Sequence, residues 1–158
     1  MKKSLVVILI STLLLVTAAA AGCASNVTTS PNTTTTSTTS AALKLEGTTW
    51  KLTSLATATG MNDALPNTTI TANFSDGNVT GSSGCNRYFG SYQLNNTDIK
   101  IGAVGSTLMF CADPDGVMAQ ETVYLSLLKN VTSYTISNNK LTLSDSLGNP
   151  QIVFVSST

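Results

Sequence analysis

Cys85, Arg87, Cys111, Asp113, Asp115 and Glu121 are the side chains whose types and spacing could support chemistry. Asp113 and Asp115, with neighbouring carbonyls, could hold a weak calcium ion. Two alternating carboxylates are poor evidence for one, since a helix start favours acidic residues anyway. Cys85 and Cys111 lack the C-x-x-C spacing of a redox pair. The chain contains no histidine, which removes the commonest general base, the usual metal ligand and the usual pH switch. A serine nucleophile would therefore depend on Lys or a carboxylate as its base. There is no cysteine cluster, phosphate-cradling glycine loop or EF-hand spacing. No catalytic residue, metal site or cofactor is expected.

The elements that must position these residues are mostly strands. Thr48 to Leu55 reads as a first strand with Trp50 and Leu52 on one face. Ile70, Ala72 and Phe74 alternate, Ser75-Asp76-Gly77-Asn78 supplies a tight turn, and Val79 begins the return. Tyr88 to Leu94 turns at Asn95-Asn96 into Ile99 to Ile101. Tyr134 and Ile136 face Leu141 and Leu143 across Ser137-Asn138-Asn139, and Ile152 to Val155 forms a last strand. Strand follows strand, so antiparallel pairing is expected.

One segment departs from this rhythm. Asp113-Pro114 offers an N-cap and a first helical residue, and Asn130 a stop, for a helix of about 14 residues. Met118, Glu121, Leu125 and Leu128 recur at helical steps, with Val117 and Tyr124 widening the stripe. Glu121 is the polar member of that stripe, and Arg87 is the single arginine of the chain. A charge on an apolar stripe is costly unless satisfied, so an Arg87–Glu121 pair bridging sheet to helix is expected. The alternative leaves Arg87 outward, capturing an anionic group on a partner.

The N-terminus supplies the address. Lys2 and Lys3, an apolar run from Leu5 to Val16 and small residues up to Cys23 have the layout of a signal peptide over residues 1–22. Cys23 directly after Ala21-Gly22 resembles a lipobox, in which the thiol is acylated, although Ala20 stands where Leu is usual. An ordinary cleavage site beside a cysteine is the alternative. Residues 23–42 are a Thr/Ser-rich tether with little to bury, and the folded domain spans 43–158. In an oxidising compartment Cys85 and Cys111 are expected to form a structural disulfide. Seven Asn-x-Ser/Thr sites, at Asn26, Asn32, Asn67, Asn73, Asn78, Asn95 and Asn130, matter if the host glycosylates its surface proteins. Without Lys2 and Lys3 the chain keeps six basic against eight acidic residues, so nucleic acid is an unsuitable partner. No interface signature is legible, and a monomer is expected.

Gly84-Cys85-Asn86-Arg87-Tyr88-Phe89-Gly90 lies after Trp50-Lys51-Leu52 and before Thr107-x-Met109-x-Cys111 and Met118-x-x-Glu121-x-x-Tyr124. This order resembles the META domain family, in particular its HslJ-like lipoproteins, from about Leu45 to Val155. Members often carry Arg where this chain has Leu108. The resemblance implies a mainly β (α+β) fold, an antiparallel and partly open barrel-like sheet with one packed helix. It also implies an envelope setting, with heat-shock or stress links for some members, and no agreed activity.

On the residues themselves, Gly84 and Gly90 are expected to serve backbone geometry, and Asn86 to close a turn through its own backbone. Tyr88, Phe89, Tyr92 and Phe110 read as core or as the lining of an apolar groove. The expected function is a non-enzymatic, lipid-anchored extracytoplasmic module engaging an envelope protein or acting in a stress response. The alternative is a carrier of a small apolar, lipid-like ligand in the barrel mouth.

Overall fold

The computed structural model describes residues 44–157. The signal peptide, Cys23, the tether, Asn26 and Asn32 lie outside the described residues.

The strands are β1 (Thr49–Thr57), β2 (Gly60–Asp63), β3 (Thr71–Ser75), β4 (Asn78–Ser82), β5 (Arg87–Asn95) and β6 (Asp98–Ser106). The helix α1 (Val117–Leu128) follows, and then β7 (Ser133–Ser137), β8 (Lys140–Ser144) and β9 (Pro150–Ser157). They form one antiparallel sheet that curves until β1 pairs with β9. One edge of β1 carries β9, while the other is shared by β3 at Thr49–Lys51 and β2 at Ser54–Thr57. The ring is thinnest between β6 and β7, which meet at the single residue pair Asp98 and Ser133. Two flanking backbone bonds of 2.9 Å, Ile99 to Thr132 and Tyr134 to Thr97, hold that seam. Among the described residues the architecture is therefore the expected mainly β, partly open barrel with one helix.

Local chemistry accounts for the hairpins. Asp76 and Gly77 both adopt positive φ, 50° and 74°, between Ser75 and Asn78. Asn138 and Asn139, at 51° and 61°, do the same between Ser137 and Lys140. Asn and Asp tolerate this region better than most side chains, and two such residues in succession match the strand twist. Alternation then sends Trp50, Ala72, Phe74, Val79, Tyr88, Tyr92, Ile99, Leu141, Leu143, Ile152 and Phe154 inward. At roughly 1.5–3 kcal/mol for each large side chain removed from water, this interior drives closure of the sheet.

One expectation needs correction, and one strand was not expected at all. The helix does not begin at Asp113-Pro114. Gly116, at φ 85°, occupies its N-cap, and residues 113–116 form a preceding turn in which the Val117 N–H reaches the Pro114 carbonyl at 3.1 Å. The helix thus has 12 residues, because the left-handed Gly116 separates that turn from the first helical turn. Its buried stripe is Val117, Gln120, Glu121, Tyr124 and Leu128, with Met118 and Leu125 only half-buried. In addition, β2 gave no sequence signal. All four of its residues are exposed, so no apolar alternation marks a strand held by backbone pairing to β1.

Candidate functional site

The connection between β4 and β5, residues Ser83 to Asn86, wraps around one carboxylate of α1. Glu121 Oε2 accepts from Ser83 Oγ at 2.7 Å, the Asn86 N–H at 2.8 Å and the Cys85 N–H at 3.2 Å. Its Oε1 accepts from Asn86 Nδ2 at 2.7 Å. Gly84 makes the wrap possible. Its φ of 116° suits glycine, and a Cβ there would stand 3.3 Å from Val117 Cγ2, where the loop meets the helix.

Burial of the Glu121 side chain raises its pKa, but the four donors from Ser83, Asn86 and Cys85 outweigh this and hold the carboxyl below its ordinary value. The charge is satisfied by neutral hydrogen-bond donors. Arg87 is not among them: it is exposed, and its N–H donates to Thr107 Oγ1 at 3.2 Å. The expected Arg87–Glu121 pair is therefore overturned. Alternation explains why, since Tyr88 points inward and Arg87 and Phe89 must point out.

Asn86 is the hub. Its Oδ1 accepts from Thr107 Oγ1 and from the Met109 N–H, both at 2.7 Å. Its Nδ2 donates to Glu121 and to the Met109 carbonyl, the latter at 3.1 Å. A carboxylate only accepts, so Glu121 fixes which end of the amide faces Thr107 and Met109. The expectation that Asn86 merely closes a turn falls short, although its carbonyl does accept from the Ser83 N–H at 2.8 Å. The Cys85–Cys111 disulfide joins the same two segments.

The clasp holds a loop with an unusual surface. Leu108 is 97% exposed, Phe110 82% and Met109 62%, beside Phe89 at 63% on β5. Of the four aromatics expected together, Tyr88 and Tyr92 are core while Phe89 and Phe110 are outside. Tyr88 donates to the Thr71 carbonyl at 3.0 Å, which leaves Tyr124 as the donor in their 2.7 Å contact. Burial raises the pKa of both hydroxyls. The interior leaves little place for a ligand: Trp50, Phe74, Tyr88, Tyr124 and Phe154 fill it. The larger grooves are on the surface, one of about 530 Å³ between β5, β6 and the segment Lys129–Thr132.

Residues 43–158 match the family described as the META domain. The chain belongs to the META domain family. It is similar to an NMR structure of a protein from Burkholderia xenovorans, with 30% identity and a TM-score of 0.59 over 72% of this chain and 84% of that one. A second NMR structure, 19% identical, has a TM-score of 0.53 over 72% and 95% of the two chains and shows the fold alone. No curated protein matches.

In this META domain the Gly84–Tyr88 segment and the Glu121–Tyr124 segment are the two halves of one clasp, which explains why both are dense in special residues. Sequence reasoning found Glu121, Asn86 and both cysteines, but it missed three polar partners. Ser83 is a single hydroxyl in a chain rich in them, so nothing in the sequence singled it out, whereas Thr107 stood in the Thr107-x-Met109-x-Cys111 motif without a role assigned to it. Gln120 is buried and ties Leu65 N–H at 2.7 Å and Thr68 Oγ1 at 3.1 Å to the helix. Its place one residue before Glu121 on the inward face was the available signal. Asn67, Asn78, Asn95 and Asn130 are exposed, whereas Asn73 is half-buried within β3.

Proposed function

We propose that this META-domain protein is a non-enzymatic, lipid-anchored extracytoplasmic module that binds an envelope protein through the loop Leu108–Phe110. The observation that carries the reading is three successive apolar side chains held in water on a loop fixed by Asn86 and a disulfide. Such exposure forfeits burial that a folded chain would ordinarily take, and a contiguous exposed apolar patch marks an interaction site. Fixing the backbone beforehand lowers the entropy lost on binding. The polar chemistry beside it is unavailable for catalysis, because the Glu121 oxygens are occupied by four donors and the residue is buried. The anchor and the compartment rest on the N-terminal sequence pattern ending at Cys23.

Cross-linking in living cells tests this, comparing the native chain with Cys23→Ala and with the pair Leu108→Ser, Phe110→Ser. A dominant protein adduct that disappears with the loop pair supports the reading. An adduct that survives the loop pair places the contact elsewhere. Loss with Cys23→Ala assigns the anchor a part in the encounter.

A further inference from the structure

We propose that the loop is a substrate-like inhibitory segment for a serine endopeptidase that accepts large apolar side chains, with Leu108–Met109 as the peptide bond presented. The inference rests on the docking reading above and names its partner class.

Three observations point to a cleft-filling segment. Residues 107–112 form neither helix, strand nor turn, and the Leu108 side chain protrudes furthest, at 97% exposure. A segment outside regular secondary structure, with an apolar side chain projecting this far, is open to entry into an endopeptidase specificity pocket. Among the described residues, neither Leu108 nor Phe110 has a backbone hydrogen-bond partner, so both keep donors and acceptors for an enzyme's strand. Between them, Met109 is held at both backbone atoms, its N–H by Asn86 Oδ1 at 2.7 Å and its carbonyl by Asn86 Nδ2 at 3.1 Å.

That clamp decides between inhibitor and substrate. On attack, the enzyme's serine hydroxyl adds to the Leu108 carbonyl carbon and the C–N bond breaks. The serine proton passes to the Met109 nitrogen, giving an ester to Leu108 and a free amine on Met109. In an ordinary substrate the amine departs and water hydrolyses the ester. Here the amine stays beside Asn86, and the chain beyond it remains joined through Cys85–Cys111. The amine then re-attacks the ester, restoring the amide and the serine hydroxyl. Holding the leaving group in place in this way acts as a high effective concentration.

The charge beside the loop suits a protein partner better than an anionic bilayer. Glu46, where the described chain enters the sheet, bridges Phe74 at one end of β3, while Ile70 at the other end bridges Ser83 beside the clasp. The loop therefore lies at the barrel end opposite the entering chain. Exposed Asp113 and Asp115 follow it closely, which disfavours an anionic lipid surface.

The test uses the intact oxidised protein against chymotrypsin and trypsin with fluorogenic peptides. Saturable inhibition of chymotrypsin is expected, weakened at least about 100-fold by Leu108→Gly, as for a central hot spot. Leu108→Arg should transfer inhibition to trypsin. Both substitutions are on the surface and leave the fold intact. Mass spectrometry should show intact chain beside a fraction cut once after Leu108, formed when water reaches the ester before the amine does, that rises to a plateau and no further. Complete, progressive cleavage overturns the proposal. So does absence of inhibition while the cellular adduct still depends on the loop, a result that leaves the docking reading standing. Leu108-dependent sedimentation with phosphatidylcholine vesicles, without inhibition, also overturns it and assigns the loop to lipid. Neither inhibition nor a loop-dependent adduct removes both readings.

Discussion

Glu121→Gln should destabilise the domain by about 3–5 kcal/mol, although the side chains have nearly the same shape. The carboxylate receives four donors, three on Oε2 and one on Oε1. Glutamine has one carbonyl oxygen. If that oxygen takes the three donors of Oε2, its amide N–H₂ faces Asn86 Nδ2 and one charge-assisted bond becomes a donor–donor clash. Turning the Asn86 amide instead breaks its bonds to Thr107 Oγ1 and the Met109 N–H. Either way a bond worth about 1.5–3 kcal/mol is lost and the remaining three become neutral and weaker. Urea unfolding at pH 7 with the disulfide intact measures this, and the midpoint temperature should fall by roughly 15–25 °C. Acid dependence gives a second readout. Because the folded pKa of Glu121 is depressed, its stabilisation is present above the unfolded value of 4.5 and is lost as pH falls through the folded pKa. The variant should lack this portion of the acid slope. Asp145, held low first by the Asn149 N–H and further by Asn149, Leu147 and Gln151, leaves a remainder. A cost below about 1 kcal/mol, with an unchanged acid slope, would refute the clasp as a charge-assisted network.

Arg87→Leu should change stability by less than about 0.5 kcal/mol, and combined with Glu121→Leu the two costs should add, because the side chains do not pair. Double-mutant unfolding checks this, and strong coupling would restore the pair. Replacing Cys85 and Cys111 together by Ala should cost about 3.5 kcal/mol in the chain-entropy model for a 26-residue separation, read by urea unfolding. The Tyr92 hydroxyl, pushed up to about 12 by burial and then by the hydrogen bond and charge of Glu46, should make stability fall as pH rises from 10 towards 12. The unfolded chain loses that proton first, so Tyr92→Phe should flatten part of the alkaline limb.

Sequence alone determined the parts of this protein that depend on neighbours along the chain. Alternation of Ile70, Ala72 and Phe74, or of Leu141 and Leu143, fixes which face is buried, because strand side chains alternate whatever the sheet becomes. Asp76-Gly77 and Asn138-Asn139 fix hairpins through the conformations those residues tolerate. The order of special residues from Gly84 to Tyr124 was enough for the family and, through it, the barrel. Tertiary structure decided what those residues touch. A buried acid needs donors, and the sequence offered Arg87 as the obvious one. The folded loop supplies backbone N–H groups, a serine and an amide instead, and such groups are invisible in a sequence because every residue but proline has an N–H. Leu108, Met109 and Phe110 illustrate the same division. As a string they look like core, and only the Asn86 clamp and the Cys85–Cys111 bridge hold them out in water.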